Sequence, residues 1–159
     1  MPITEQDQYF MRLTLAEAEQ ARQHGDVPIG ALVVLEGEII GRGRNQRELD
    51  GDPTAHAEIL AIRQAAQHIG HWRLEGVTLY CTLEPCCMCA GAMVLARLPR
   101  LVYATHDPKA GAAGSILDLL HHPQLNHTVQ VEHGLFAEEA AEQLRGFFRQ
   151  LRAEGQKGR

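Results

Sequence analysis

No run of twenty apolar residues occurs in this 159-residue chain, so a membrane-spanning helix is not expected. Internal repeats, low-complexity stretches and linker-like shifts in composition are also missing. Residues 1–155 are therefore expected to form a single domain, with 156–159 as a frayed tail. Cysteine is scarce: three of the four fall within Cys86–Cys89, a clustering that suits reduced metal ligands better than a disulfide framework. Residues 1–22 read as an acidic amphipathic helix rather than a signal peptide, which makes cytoplasm the expected compartment. At this length the chain can bury roughly 68–70% of its unfolded surface without disulfides.

Positive charge is in deficit too. The net charge of −5 argues at first sight against a polyanionic partner, but the charge is unevenly placed. Arg145, Arg149, Arg152, Lys157 and Arg159 stand against Glu154, a local balance of +4 that leaves −9 for residues 1–144. A basic C-terminal helix on an acidic body fits phosphate contact, since polyanion affinity follows local charge. It fits equally well as complementation of a helix dipole.

What the chain does carry is His56-Ala57-Glu58 and, 27 residues after Glu58, Pro85-Cys86-Cys87-Met88-Cys89. One imidazole and two thiolates make a donor set for zinc, and three ligands leave one tetrahedral position open, as catalytic sites require. Side chains two apart on a regular helix point to different sides, so His56 and Glu58 belong at a helix end. Asp52 or Thr54 is expected to cap that helix, which runs through Ile59, Ile62, Ala65 and Ala66 to Gly70 with His56 and Glu58 in its first turn. Pro85 fits the first position of a second helix, placing Cys86 and Cys89 on one face of its first turn. Two helix N-termini facing one ion favour thiolate over thiol. Thiolates also donate more charge than imidazoles, so such a centre needs a proton-handling carboxylate, the part assigned to Glu58.

Either motif alone has plainer readings. A lone Cys-x-x-Cys also suits a redox pair or half of a structural zinc knuckle, and a lone His at a helix start suits a cap. A structural site would need a fourth ligand, and Cys87 reaches one ion together with Cys86 and Cys89 only awkwardly. Cys87 is expected to be a buried small apolar residue. Cys81 groups with Val77 and Leu79 on one sheet face, where core packing is its expected role.

Hydrophobic periodicity arranges the rest as alternating strands and helices. A helix opens at Thr4 with Phe10, Leu13 and Ala16 on its apolar face. A hairpin of Val27 to Leu35 and Glu38 to Gly43 turns at Glu36-Gly37. After the His56 helix come a strand from Val77, the Cys86 helix, a strand over Arg100 to Ala104, and a Gly/Ala-rich loop from Lys109 to Ser115. A short helix over Ile116 to Leu120, a strand over Thr128 to Val131 and a helix from Ala137 to Arg152 complete the chain. This order predicts a sheet with helices on both faces, with ligands gathering where strands hand over to helices.

Val27-Pro28-Ile29-Gly30-Ala31, Asn45, Asp52-Pro53-Thr54-Ala55-His56-Ala57-Glu58, Thr82-Leu83-Glu84-Pro85-Cys86, Met88-Cys89-Ala90-Gly91-Ala92-Met93, Gly111-Ala112-Ala113-Gly114-Ser115 and His121-His122-Pro123 through Asn126-His127 carry a resemblance that spans nearly the whole chain. The His-x-Glu and Pro-Cys-x-x-Cys pairing is the signature of zinc deaminases. The full set resembles the bacterial tRNA adenosine deaminases of the cytidine deaminase-like superfamily. The resemblance implies a three-layer α/β/α fold with a central five-stranded mixed sheet. It implies a homodimer with one zinc per subunit held by His56, Cys86 and Cys89, and hydrolytic conversion of the wobble adenosine of a tRNA anticodon loop to inosine, with Glu58 as acid and base. Substrate-binding roles fall on Val27, the Asn45 amide, the Ala57 backbone N–H, Asp107, Lys109, Phe147, Phe148 and Arg149.

Plainer roles stand beside these: Asn45 pinning a turn, Asp107 starting one, Lys109 as a solvated charge, Phe147 and Phe148 as core or dimer contacts. Adjacent Phe side chains cannot share one buried helical face well, so one of them is expected at the surface. His121, His122 and His127 are expected to make structural hydrogen bonds. The chain departs from the family's commonest residues at Cys87, His106, Pro108 and Ala110. A deaminase of free guanine, cytosine or a nucleoside, using the same metal chemistry, is the nearest rival. A noncatalytic zinc module binding RNA or protein is a more distant one.

Overall fold

The computed structural model describes residues 2–155. The expected frayed tail and the basic residues Lys157 and Arg159 lie outside them. The elements in chain order are α1 (Glu5–Gln23), β1 (Gly30–Leu35), β2 (Glu38–Arg44), α2 (Arg47–Asp50), α3 (Ala57–Ile69), β3 (Val77–Leu83), α4 (Cys87–Leu95), β4 (Arg100–Thr105), β5 (Gln130–His133) and α5 (Ala137–Ala153). The five strands form one sheet in the order β2-β1-β3-β4-β5. β1 runs antiparallel to β2 and β3, and the β3–β4 and β4–β5 pairs are parallel. The expected α/β architecture with a mixed five-stranded sheet is what forms.

Period-two alternation sends successive side chains to opposite faces. Val33, Leu79, Cys81, Leu101 and Tyr103 pack into a core with α3 and α4. Val34, Tyr80, Val102 and Ala104 pack into a second core with α1 and α5. The β1–β2 hairpin turns at Glu36 (φ 51°) and Gly37 (φ 80°), the paired positive φ values of the tight turn that matches strand twist.

A buried ion pair ties α1 to the sheet. Asp7 closes a capping box with Thr4 and accepts from Arg100 of β4 at 2.8 and 2.9 Å and from the Tyr80 hydroxyl at 2.6 Å. Burial alone would raise the Asp7 carboxyl, but the Arg100 and Tyr80 hydrogen bonds hold it well below the ordinary carboxylate range.

Several boundaries differ from expectation. Ile116 to Leu120 is not helical: Ile116 and Leu117 N–H groups return to the Gly111 carbonyl and Leu119 to that of Ala112, folding the segment into turns with one bridge between Ala113 and Asp118. The last strand begins two residues later than expected, and the four-residue α2, which has no apolar face, went unpredicted. Ala16 is exposed, the buried face of α1 running through Phe10, Met11, Thr14, Ala18 and Ala21 instead.

Candidate active site

Both helices that carry the candidate ligands start later than expected, α4 two residues beyond Pro85 and α3 with its cap two residues beyond Thr54. His56 is itself the N-cap of α3, and Cys86 the N-cap of α4, with Pro85 just outside. Asp52 does not cap α3; its carboxylate accepts from the Thr54 N–H and hydroxyl, both at 2.8 Å, to build the turn before it. Neither His56 nor Cys86 caps its own helix through its side chain. The orphan N–H groups and positive dipole ends of both helices are left to act on the space between them.

There His56, Cys86 and Cys89 meet, their donor atoms within 4.8 Å of one another, as the one such metal-capable group among the described residues. Bonds of roughly 2.3 Å to sulfur and roughly 2.05 Å to nitrogen at a tetrahedral angle place the two donors about 3.6 Å apart. The observed separations from His56 Nδ1 are 3.6 Å to Cys86 Sγ and 3.5 Å to Cys89 Sγ. The donor set and its spacing thus fit zinc. The Cys89 hydrogen bond, with His56 beside it, pushes the Cys86 thiol down to about 3. Cys89, which supplies that bond and is buried, is held up. His56 is raised, chiefly by its hydrogen bond with Cys86.

Cys87 corrects an expectation: it is exposed, because the α4 turn that aims Cys86 and Cys89 at one point sends the residue between them outward. Cys81 is buried, as expected.

Glu58, in the first turn of α3, is 4% exposed. Burial pushes its carboxyl up to about 7, the range suited to moving protons in both directions. It lines a cavity of about 120 Å³ with Val27, Ile29, Asn45, Arg47, His56 and Ala57, below the roughly 300–1,000 Å³ of drug-sized pockets. Val27, Asn45 and Ala57 are expected substrate-binding residues; Ile29 belongs to the Val27–Ala31 motif without a role assigned to it, and nothing in its local sequence marks Arg47. The Asn45 amide donates to the Val27 carbonyl and accepts from the Arg47 N–H, both at 3.2 Å. It pins a turn and lines the cavity at once.

Val27 also borders a larger groove of about 600 Å³, lined by Leu83, Thr105 to Lys109, and Ala141, Leu144, Arg145 and Phe148 of α5. Asp107, Lys109 and Phe148 meet there. Phe147 and Arg149 do not: Phe147 is buried at 7% exposure, and Arg149 turns to Glu142 at 2.6 Å. The helical period explains the split, since adjacent residues point about 100° apart. Within its loop the Asp107 carboxylate accepts from the Lys109 and Ala110 N–H groups, so it also serves as the turn former. The histidines of the later segment make structural hydrogen bonds, His121 to Asp118 and His122 to the Gln124 N–H nearby, and His127 to the Leu98 carbonyl 29 positions away.

A buried carboxylate that sequence reasoning did not single out anchors the loop bordering the groove. Glu84, 2% exposed at the end of β3, receives the N–H groups of Asp107, Ala113 and Ser115 and the Ser115 hydroxyl. Its sequence signal was only its place inside Thr82-Leu83-Glu84-Pro85-Cys86.

A mixed sheet flanked by helices, a His/Cys/Cys cluster at two helix starts and a buried glutamate facing a small cavity define a deaminase of the cytidine deaminase-like class. The MafB19-like deaminase family matches residues 5–152. The tRNA-specific adenosine deaminase of Bacillus subtilis (strain 168) is 48% identical over 147 residues, 92% of this chain and 91% of that protein. A solved structure from work on A-to-I editing by tRNA:A34 deaminases at the wobble position superposes with a TM-score of 0.82 at 46% identity, covering 86% of this chain and 99% of that one. The guanine deaminase structure from Bacillus subtilis gives 0.62 at 30% identity, with 95% of each chain covered. The chain belongs to the MafB19-like deaminase family, in the branch of the tRNA-specific adenosine deaminases.

Proposed function

We propose that residues 1–155 act as one zinc-dependent deaminase domain that converts the wobble adenosine of a tRNA anticodon loop to inosine. The observation that carries this reading is Glu58, buried beside His56 in a cavity sized for one ring system, with a wider groove continuing past Val27. His56, Cys86 and Cys89 would hold the zinc, whose Lewis acidity makes a water acidic enough to serve as nucleophile near neutral pH.

Glu58 accepts a proton from that water as its oxygen bonds to the amino-bearing ring carbon, and passes the proton to the adjacent ring nitrogen. In the second half Glu58 takes the remaining proton from the new hydroxyl and delivers it to the amino group, the carbon–nitrogen bond breaks, ammonia leaves and the carbonyl of inosine remains. The Asn45 amide and the Ala57 N–H, the first of its helix and so without an acceptor within it, orient the base. An anticodon-loop base is already exposed or easily unstacked, so seating it costs less than extrusion from a duplex.

The groove takes the flanking nucleotides, with Lys109 near phosphate and exposed Phe148 offering a face for stacking. Phe147, being buried, supports Phe148 from beneath, and Arg149 contributes at the groove's outer end once released from Glu142. Leu95 (71% exposed) and Trp72 (53%) leave apolar surface that a second copy would cover in a homodimer. No helix among the described residues is long and apolar enough to cross a membrane, and the reading places the enzyme in the cytoplasm with its tRNA.

The likeness to guanine deaminase favours free-base turnover as the second reading, but a free base has no use for the groove beyond the cavity. Zinc-loaded protein offered an anticodon stem-loop, guanine and cytosine decides between them. Inosine in the RNA is expected, with turnover weakening as salt rises; turnover confined to free bases rejects the proposal.

A further inference from the structure

We infer that Glu84 is a positioning residue for the substrate groove, its carboxylate fixing the loop of residues 107–115 whose near end forms the groove wall. The inference takes its RNA substrate from the preceding reading, whereas its claim about the loop stands independently of that reading.

The loop contains no helix or strand beyond a single bridge, so its shape depends on whatever receives its N–H groups. Glu84 Oε1 accepts from Asp107 at 3.0 Å and from the Ser115 hydroxyl, while Oε2 accepts from Ala113 at 3.0 Å and Ser115 N–H at 3.1 Å. Donors from both ends of the loop therefore converge on one carboxylate. Gly111 lies across the same group so closely that a Cβ would overlap it. The Ala112 N–H bonds the Pro85 carbonyl at 2.8 Å, and the Glu84 N–H bonds that of Thr105 at 2.9 Å.

The anchoring reaches the groove in two steps. Glu84 holds the Asp107 backbone, and the Asp107 carboxylate then sets the Lys109 and Ala110 N–H groups. His106, Asp107, Pro108 and Lys109 line the groove, whereas Glu84 lines neither the groove nor the cavity. It acts through the loop and touches no substrate. Two residues further along the chain stands Cys86, so the end of one strand sets both a metal ligand and the groove wall. Glutamine cannot replace this carboxylate, because one of its two terminal atoms is a donor and would face donors.

Zinc-loaded Glu84→Gln and Ser115→Ala proteins test the role with zinc content, amide hydrogen exchange and steady-state kinetics on an anticodon stem-loop. In Glu84→Gln, faster exchange at Ala113 and Ser115, retained zinc, a rise in KM of about tenfold and kcat within about twofold of wild type are expected. Ser115→Ala shifts KM the same way by about threefold, and decides the matter if Glu84→Gln does not fold. Unchanged exchange and KM in Ser115→Ala and any folded Glu84→Gln, or activity lost only in step with zinc, overturns the proposal. Should the wild type fail on RNA, the functional reading falls while the exchange data still judge the loop.

Discussion

Gly43 of β2 lies flat against the carbonyl of Ala57, the first residue of α3, leaving no room for a side chain between strand and helix. Gly41 meets the Ala61 carbonyl one turn further on in the same way. This close approach brings the start of α3, and with it His56 and Glu58, onto the sheet edge at the depth the site requires. A Gly43→Ala substitution should force the first turn of α3 outward, costing on the order of 1–3 kcal/mol as overpacking does. Lowered thermal midpoint together with weakened zinc affinity is the expected result; unchanged zinc affinity would uncouple the packing from the site.

Removing the Glu58 carboxylate while keeping its shape separates chemistry from metal binding. Glu58→Gln is expected to retain zinc and fold but lose roughly 10²–10⁴-fold in kcat, the usual scale of general acid–base catalysis. Zinc analysis and single-turnover deamination check this, and retained activity would refute the proton-transfer role.

The candidate ligands and their exposed neighbour should behave oppositely. His56→Ala and Cys86→Ala are expected to lose zinc and activity together, whereas Cys87→Ser, altering a side chain that points to solvent, leaves zinc content unchanged. Equal metal loss in all three would contradict the geometry of the α4 turn.

Phe147 and Phe148 should divide stability from binding. Truncating buried Phe147 to Ala is expected to cost about 3–5 kcal/mol of stability. Phe148→Ala should leave the thermal midpoint nearly unchanged and weaken stem-loop binding by about 1–3 kcal/mol, the value of a base–aromatic stack. Thermal melts and RNA titrations read the two effects separately.

The Asp7–Arg100 pair predicts an acid limb in stability. The folded Asp7 carboxyl is held below its unfolded value of about 3.9, so its contribution is fully present above that value and is lost as pH falls toward the folded one. Arg100→Met strands the buried carboxylate, and breaking such a pair from one side costs roughly 3–5 kcal/mol. Denaturation midpoints from pH 7 down to acid should show a shallower acid slope in the variant; an unchanged slope would mean that Asp7 does not carry it.

The His/Cys/Cys cluster was readable residue by residue because its information is local. His56 with Glu58, and Cys86 with Cys89, sit two or three residues apart at helix starts, where spacing and donor chemistry already constrain direction. The strands were likewise readable from alternation, since Val33 with Val34 and Leu79 with Tyr80 need only period two to choose faces. Local pattern failed where a distant group took over the backbone, as in Ile116 to Leu120, whose N–H groups return to Gly111 and Ala112.

By itself, the sequence determined the five strands and the long helices and marked His56, Glu58, Cys86 and Cys89 as candidates for one centre, through short-range spacing. Only the tertiary structure decided that Cys87 faces solvent, that Phe148 rather than Phe147 borders the groove, and that Glu84 and Asp7 serve as buried anchors. The reason is physical: a buried carboxylate's role is set by which donors converge on it, and those of Asp7 and Glu84 come from residues up to 93 and 31 positions away.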